Sequence, residues 1–149
     1  VLGNLPNLSI LGLWDCRLEI DLLRFQTGLF RRLTVLDLFY SRMEIKLVEF
    51  EEESMPNLEL LTLSLGDTEI AFSGLELLQS IKEVWLSVHS CLFGTPKSSK
   101  NGGNEKMGKT LYEYMKREEE RNKPMQDKVR QELQAQLDRN KNRPVLKVQ

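Results

Sequence analysis

Leu5-Pro6-Asn7-Leu8-Ser9-Ile10-Leu11-Gly12-Leu13-Trp14 places leucine at positions 5, 8, 11 and 13, the pattern Leu-x-x-Leu-x-x-Leu-x-Leu. The pattern returns as Phe30, Leu33, Leu36 and Leu38, then as Met55, Leu58, Leu61 and Leu63, and again as Leu78, Ile81, Val84 and Leu86. At its second position the residues are Leu8, Leu33, Leu58 and Ile81, separated by 25, 25 and 23 residues. Four in-phase copies at a fixed period point to stacked structural units, none of which can bury its apolar face alone.

This period and signature are those of a leucine-rich repeat. In each copy the last two core positions fall in a segment x-Leu-x-Leu-x, whose period of two fits a strand with the leucines inward. The expected strands are Ile10–Trp14, Val35–Phe39, Leu60–Ser64 and Glu83–Ser87. The fold expected is an α/β right-handed solenoid of about four repeats over residues 1–92, with its parallel sheet on the concave face. The segments between strands, among them Leu18–Phe25 and Phe72–Leu78, are expected to pack behind the sheet as short helical turns. Ser73, with Glu76 three residues on, has the spacing of a capping box for the second.

The outward residues of neighbouring strands form three rows. They read Ile10, Val35, Leu60, Glu83; Gly12, Asp37, Thr62, Trp85; and Trp14, Phe39, Ser64, Ser87. Large apolar side chains on an outward strand face mark a surface that something covers, either a partner or another part of the same protein. Trp14, Asp37, Phe39, Thr62 and Trp85 are therefore the candidate partner-binding residues.

Beyond the repeats the chain changes character. Residues 1–92 carry 7 Lys/Arg against 14 Asp/Glu, net −7, and residues 93–149 carry 14 against 8, net +6. Opposite charge favours the tail lying against the repeats. Residues 93–108, rich in Gly, Ser, Lys and Asn, read as a flexible linker, and 109–149 as a helical tail. Pro124 is expected to divide that tail into two helices, with Asn122 capping the second. Met125, Val129, Leu133 and Leu137 then form one apolar stripe, suited to closing the open end of the solenoid. Val145-Leu146-Lys147-Val148 is β-prone and suited to docking as an edge strand.

Several features point to chemistry and are outweighed by context. Gly103-x-x-x-x-Gly108-Lys109-Thr110 matches the phosphate-binding P-loop, but Lys97–Gly102 before it is no buried strand. A nucleotide-binding protein using Lys109 is kept as the alternative reading, beside a stand-alone repeat scaffold. The acidic run Glu49 to Glu53, broken by Phe50, lacks calcium-loop spacing and reads as a solvated loop. His89, the one histidine, has no second imidazole for a zinc site, and Cys16 and Cys91 sit too far apart along the repeats for a disulfide. The expectation is no enzyme, no metal and no cofactor in this chain. Nucleic-acid binding is not expected either, because the basic tail is interleaved with Glu and offers no stacking platform. No apolar run reaches the roughly 18 residues that span a bilayer. Residue 1 is Val and the first Met is Met43, so a longer parent or a processed product is expected.

Gly3-Asn4-Leu5-Pro6-Asn7-Leu8, Met55-Pro56-Asn57-Leu58-Glu59-Leu60-Leu61, Phe72-Ser73-Gly74-Leu75-Glu76 and Ile81-Lys82-Glu83-Val84 resemble the last repeats of plant intracellular immune receptors. These are the coiled-coil, nucleotide-binding, leucine-rich-repeat disease-resistance proteins of cereal type. The chain end, Leu137 to Leu146, is similar to the terminus common in that group. The resemblance implies a cytoplasmic receptor whose repeats sense a pathogen effector or a guarded host protein and hold the receptor off at rest. It also implies intramolecular contact with upstream domains, where the ADP/ATP switch would lie.

Overall fold

A computed structural model describes residues 4–14, 20–39, 45–65, 69–88 and 104–149, the side chains at 14, 39, 104–111 and 115 excepted. Cys16, His89 and Cys91 lie outside the described residues, as does most of the expected linker.

The repeated leucines do form strands. β1 (Ile10–Trp14), β3 (Val35–Phe39), β5 (Leu60–Leu65) and β7 (Glu83–Val88) pair in parallel, joined at the far side by β8 (Val145–Val148). The register pairs Leu11 with Leu36, Leu36 with Leu61, and Leu61 with Val84, so each unit lies on its predecessor in phase. Backbone carbonyls just before the strands set this register. The Ser9 carbonyl accepts from the amides of Thr34 and Val35, that of Thr34 from Glu59 and Leu60, and that of Glu59 from Lys82 and Glu83. Each carbonyl uses both lone pairs, which leaves little room for slippage.

The segments behind this sheet differ from expectation. β2 (Leu22–Phe25), β4 (Leu47–Phe50) and β6 (Ala71–Ser73) form a second parallel sheet, and only Leu75–Leu77 is helical there, as a short 3-10 turn. The Leu18–Phe25 helical turn is thus replaced by a strand over its described end. The reason lies in repetition at the same stride: Leu22 pairs with Leu47 and Phe25 with Phe50, whose rings stack at 5.2 Å. Nor does Ser73 cap the turn after β6. Gly74 holds the cap position at φ 86° with no side-chain cap bond. A Cβ there would lie 1.9 Å from the Phe50 carbonyl oxygen, so glycine is required both by dihedral and by space.

Between the sheets lies the core. Leu33, Leu36, Leu38, Val48, Leu58, Leu61, Leu63, Leu75, Ile81 and Val84 are all fully buried within it.

The tail is one helix, α1 (Asn104–Arg139), of 36 residues that runs straight through Pro124. Pro124 and Glu120, whose carbonyl it cannot serve, are both exposed, so water can satisfy the missing bond. Asn122 is accordingly inside the helix and buried rather than at a cap. Three of the four residues of the apolar stripe pack as their spacing requires, while Met125 is half-buried and lies outside the core cluster. Val129, Leu133 and Leu137 join the main core, and α1 packs against the 3-10 turn, β6 and β8. Polar groups lock the junction. The Gln136 amide donates to the Phe72 carbonyl at 2.6 Å, and its oxygen accepts from the Leu75 amide at 3.3 Å. Asn140, 2% exposed, donates to the carbonyls of Leu75 and Leu78, each at 2.9 Å. Its own oxygen accepts from the Asn142 amide at 2.9 Å. Among the described residues, tail and repeats are joined by the ion pairs Lys128–Glu69 at 2.6 Å and Lys147–Glu83 at 2.9 Å.

Candidate functional site

Strand alternation turns the leucines of the five-stranded sheet inward and presents the residues between them on its outer face. In the first row, Ile10 is 64% exposed, Val35, Leu60 and Glu83 are half-buried, and the tail adds Val145, 56% exposed. The second row runs Gly12, Asp37, Thr62, Trp85 in register across the strands, and β8 extends it with Lys147. Asp37, Thr62 and Trp85 are each half-buried. The structure therefore brings these three of the five predicted residues into one row. Trp14 and Phe39 close β1 and β3 and pair with one another by backbone register, while their side chains lie outside the described residues.

The third row departs from expectation at Ser64, which is only 1% exposed. Alternation gives out at the end of β5, where Leu63, Ser64 and Leu65 are all buried.

The best-defined geometry on this face surrounds Trp85. Its indole Nε1–H donates to Glu83 Oε2 at 2.7 Å. The Lys147 ammonium reaches the same oxygen at 2.9 Å and stands 5.3 Å from the centre of the indole ring. The Lys147 ammonium first, and the Trp85 indole second, hold the Glu83 carboxyl below the usual carboxylate range. Glu83 and Lys147, from two adjacent strands, thus hold one aromatic ring on a face that also carries the aliphatic Ile10, Val35 and Leu60. Sequence reasoning placed Trp85 here and missed Glu83 and Lys147 as its partners. The signal was present: if Val145–Val148 pairs with β7, alternation puts Lys147 in the row of Trp85.

Among the described residues the other marked features are not assembled into sites. The acidic run is spread over structural roles: Glu49 pairs with Arg24 at 2.6 Å, and Glu51 accepts from the Thr27 amide at 2.9 Å. Residues 104–110 of the P-loop match have helical backbone, where a phosphate cradle needs a loop. Among the described residues no group of three His, Cys, Asp or Glu is placed to hold a metal ion, and no helix is long and apolar enough to cross a membrane.

Comparison with known proteins returns no match: no family model fits the chain, and no curated protein or solved structure is significantly similar to it.

Proposed function

We propose that this chain is the C-terminal end of a right-handed leucine-rich-repeat solenoid of about four repeats, and that its outer sheet face, concave in such a solenoid, recognises a protein. The observation that carries the reading is the row of aliphatic and aromatic side chains on that face, Ile10, Val35 and Leu60 beside Trp85, held in register by four in-phase strands. Apolar groups kept on a rigid sheet, with a fixed aromatic among them, have the make-up of an interface anchor. With the resemblance of its repeats and terminus, the chain fits the recognition and autoinhibitory end of a cytoplasmic plant immune receptor, sensing a pathogen effector or a guarded host protein.

The test is a parent receptor in which Trp14, Phe39 and Trp85 are all changed to alanine, expressed in leaves. The expected outcome is loss of the effector- or host-protein-triggered defence response with unchanged accumulation of the protein. A normal response in that variant refutes the assignment of these residues.

A further inference from the structure

Resting on the protein-recognition reading, we infer that the face of Trp85 and the carboxylate of Glu83 form a receptor for one arginine side chain of the partner, and that Lys147 is its tethered occupant. The geometry is that of a cation site already filled. An indole face and a carboxylate oxygen converge on one ammonium, 5.3 Å from the ring centre and 2.9 Å from Oε2. The carboxylate is held in place by the indole N–H at 2.7 Å, so acid and ring form one unit whatever cation is present. That unit is built within β7. The cation comes from elsewhere, on β8, the last strand of the sheet.

Two observations make Lys147 an exchangeable occupant. Its side chain is 45% exposed, and Glu83 is 40% exposed, so the pair is open to water and to a competitor. Lys147 also stands on β8, which among the described residues has a neighbouring strand on one side only. A guanidinium is the stronger ligand for such a site. It is less tightly hydrated than an ammonium, stacks flat on an aromatic ring, and presents paired donors to a carboxylate. Charge favours the same partner: residues 1–92 carry net −7, and Asp37 stands in the row of Trp85. Removing Lys147 from the ring leaves the Glu83 carboxylate beside it without that cation. Lys147 therefore weakens binding of every cation that lacks a better fit, and so sets a threshold of specificity.

The test uses the whole 149-residue chain, labelled with nitrogen-15, and follows the indole N–H resonances. Trp14→Phe assigns them. N-acetyl-arginine amide is titrated into the wild type, Lys147→Ala, and Lys147→Ala with Glu83→Gln. The neutral isostere N-acetyl-citrulline amide is the control. The Trp85 resonance should move with arginine in Lys147→Ala at a midpoint about tenfold below that of the wild type, the size expected for an exposed cation–π contact plus an exposed ion pair. Adding Glu83→Gln should reverse the gain. Equal midpoints in wild type and Lys147→Ala, no movement in either, or equal response to citrulline would each overturn the inference. A flat titration together with loss of recognition in the triple alanine receptor removes the arginine site and leaves the recognition face standing.

Discussion

Replacing Leu133 with alanine probes whether the tail is part of the fold or an attachment to it. Leu133 is fully buried and belongs to the same apolar cluster as Leu75, Leu78 and Ile81 of the last repeat. The change removes three side-chain carbons, worth about 2.4 kcal/mol at roughly 0.8 kcal/mol per buried methylene. The void adds to this, because helix and sheets are both pinned nearby by Gln136 and Asn140 and collapse poorly onto it. The total expected is about 3 kcal/mol, a large share of the roughly 5–15 kcal/mol that a domain has. Urea unfolding should be followed by two probes. Circular dichroism at the helix band reports α1, whereas tryptophan fluorescence reports the repeats, where both tryptophans lie. Both transitions should move together to lower urea, and Gln131→Ala, an exposed neighbour, should move neither. An unshifted fluorescence midpoint in Leu133→Ala would refute the reasoning, since it would mean that the repeats do not depend on their cap.

Gly74→Ala should cost about 3 kcal/mol, from the left-handed dihedral and a Cβ driven against the Phe50 carbonyl; denaturation within 1 kcal/mol of wild type, on that order-of-magnitude scale, would contradict the turn described. Asn140→Ala should lower stability by about 2 kcal/mol by leaving the buried Leu78 carbonyl without its donor. Asn140→Asp should do no better, because a carboxylate has no N–H to give; thermal melts of the pair decide this. Glu83 binds a proton less readily folded than unfolded, so its contribution is present above the ordinary carboxylate pKa of about 4.3 and is lost as pH falls through its lower folded value. The Trp85 indole resonance should therefore hold steady as pH falls from 7 and move only below the ordinary carboxylate pKa of about 4.3; a transition near pH 6 would contradict the clamp.

Which parts of this molecule can be read from its residues follows from how local their causes are. The first four strands of the main sheet were legible because each carries its own instruction, two inward aliphatic residues flanked by outward ones, repeated every 23 to 25 residues. The second sheet was not. Leu22-Leu23-Arg24-Phe25 is a short, mostly apolar segment broken by Arg24, and periodicity alone cannot tell so short a segment from a helical turn. Its answer lay 25 residues on, in the matching Leu47-Val48-Glu49-Phe50. Pro124 misled for another reason: it stands on the exposed face of the helix, where the carbonyl of Glu120 that it cannot serve is open to water. At the candidate site Trp85 stood out as a large ring on an outward position. Its clamp did not, because Lys147 arrives from a strand whose pairing is decided by how the helix returns the chain.

That return has a consequence for the order of folding. Within the repeats, each strand finds its partner across a loop of 25 residues or slightly fewer, as with Leu11 and Leu36. β8 reaches β7 only across 62, from Glu83 to Val145. Closing the longer loop costs about 0.8 kcal/mol more in chain entropy, which corresponds to about a fourfold slower search if all else is equal. Strand addition along the repeats can therefore run ahead like a zip, one short step after another, while the final strand waits for a helix to form and swing back. The end of the core nearest β7 is the last to be sealed and the first to be uncovered when the helix lets go.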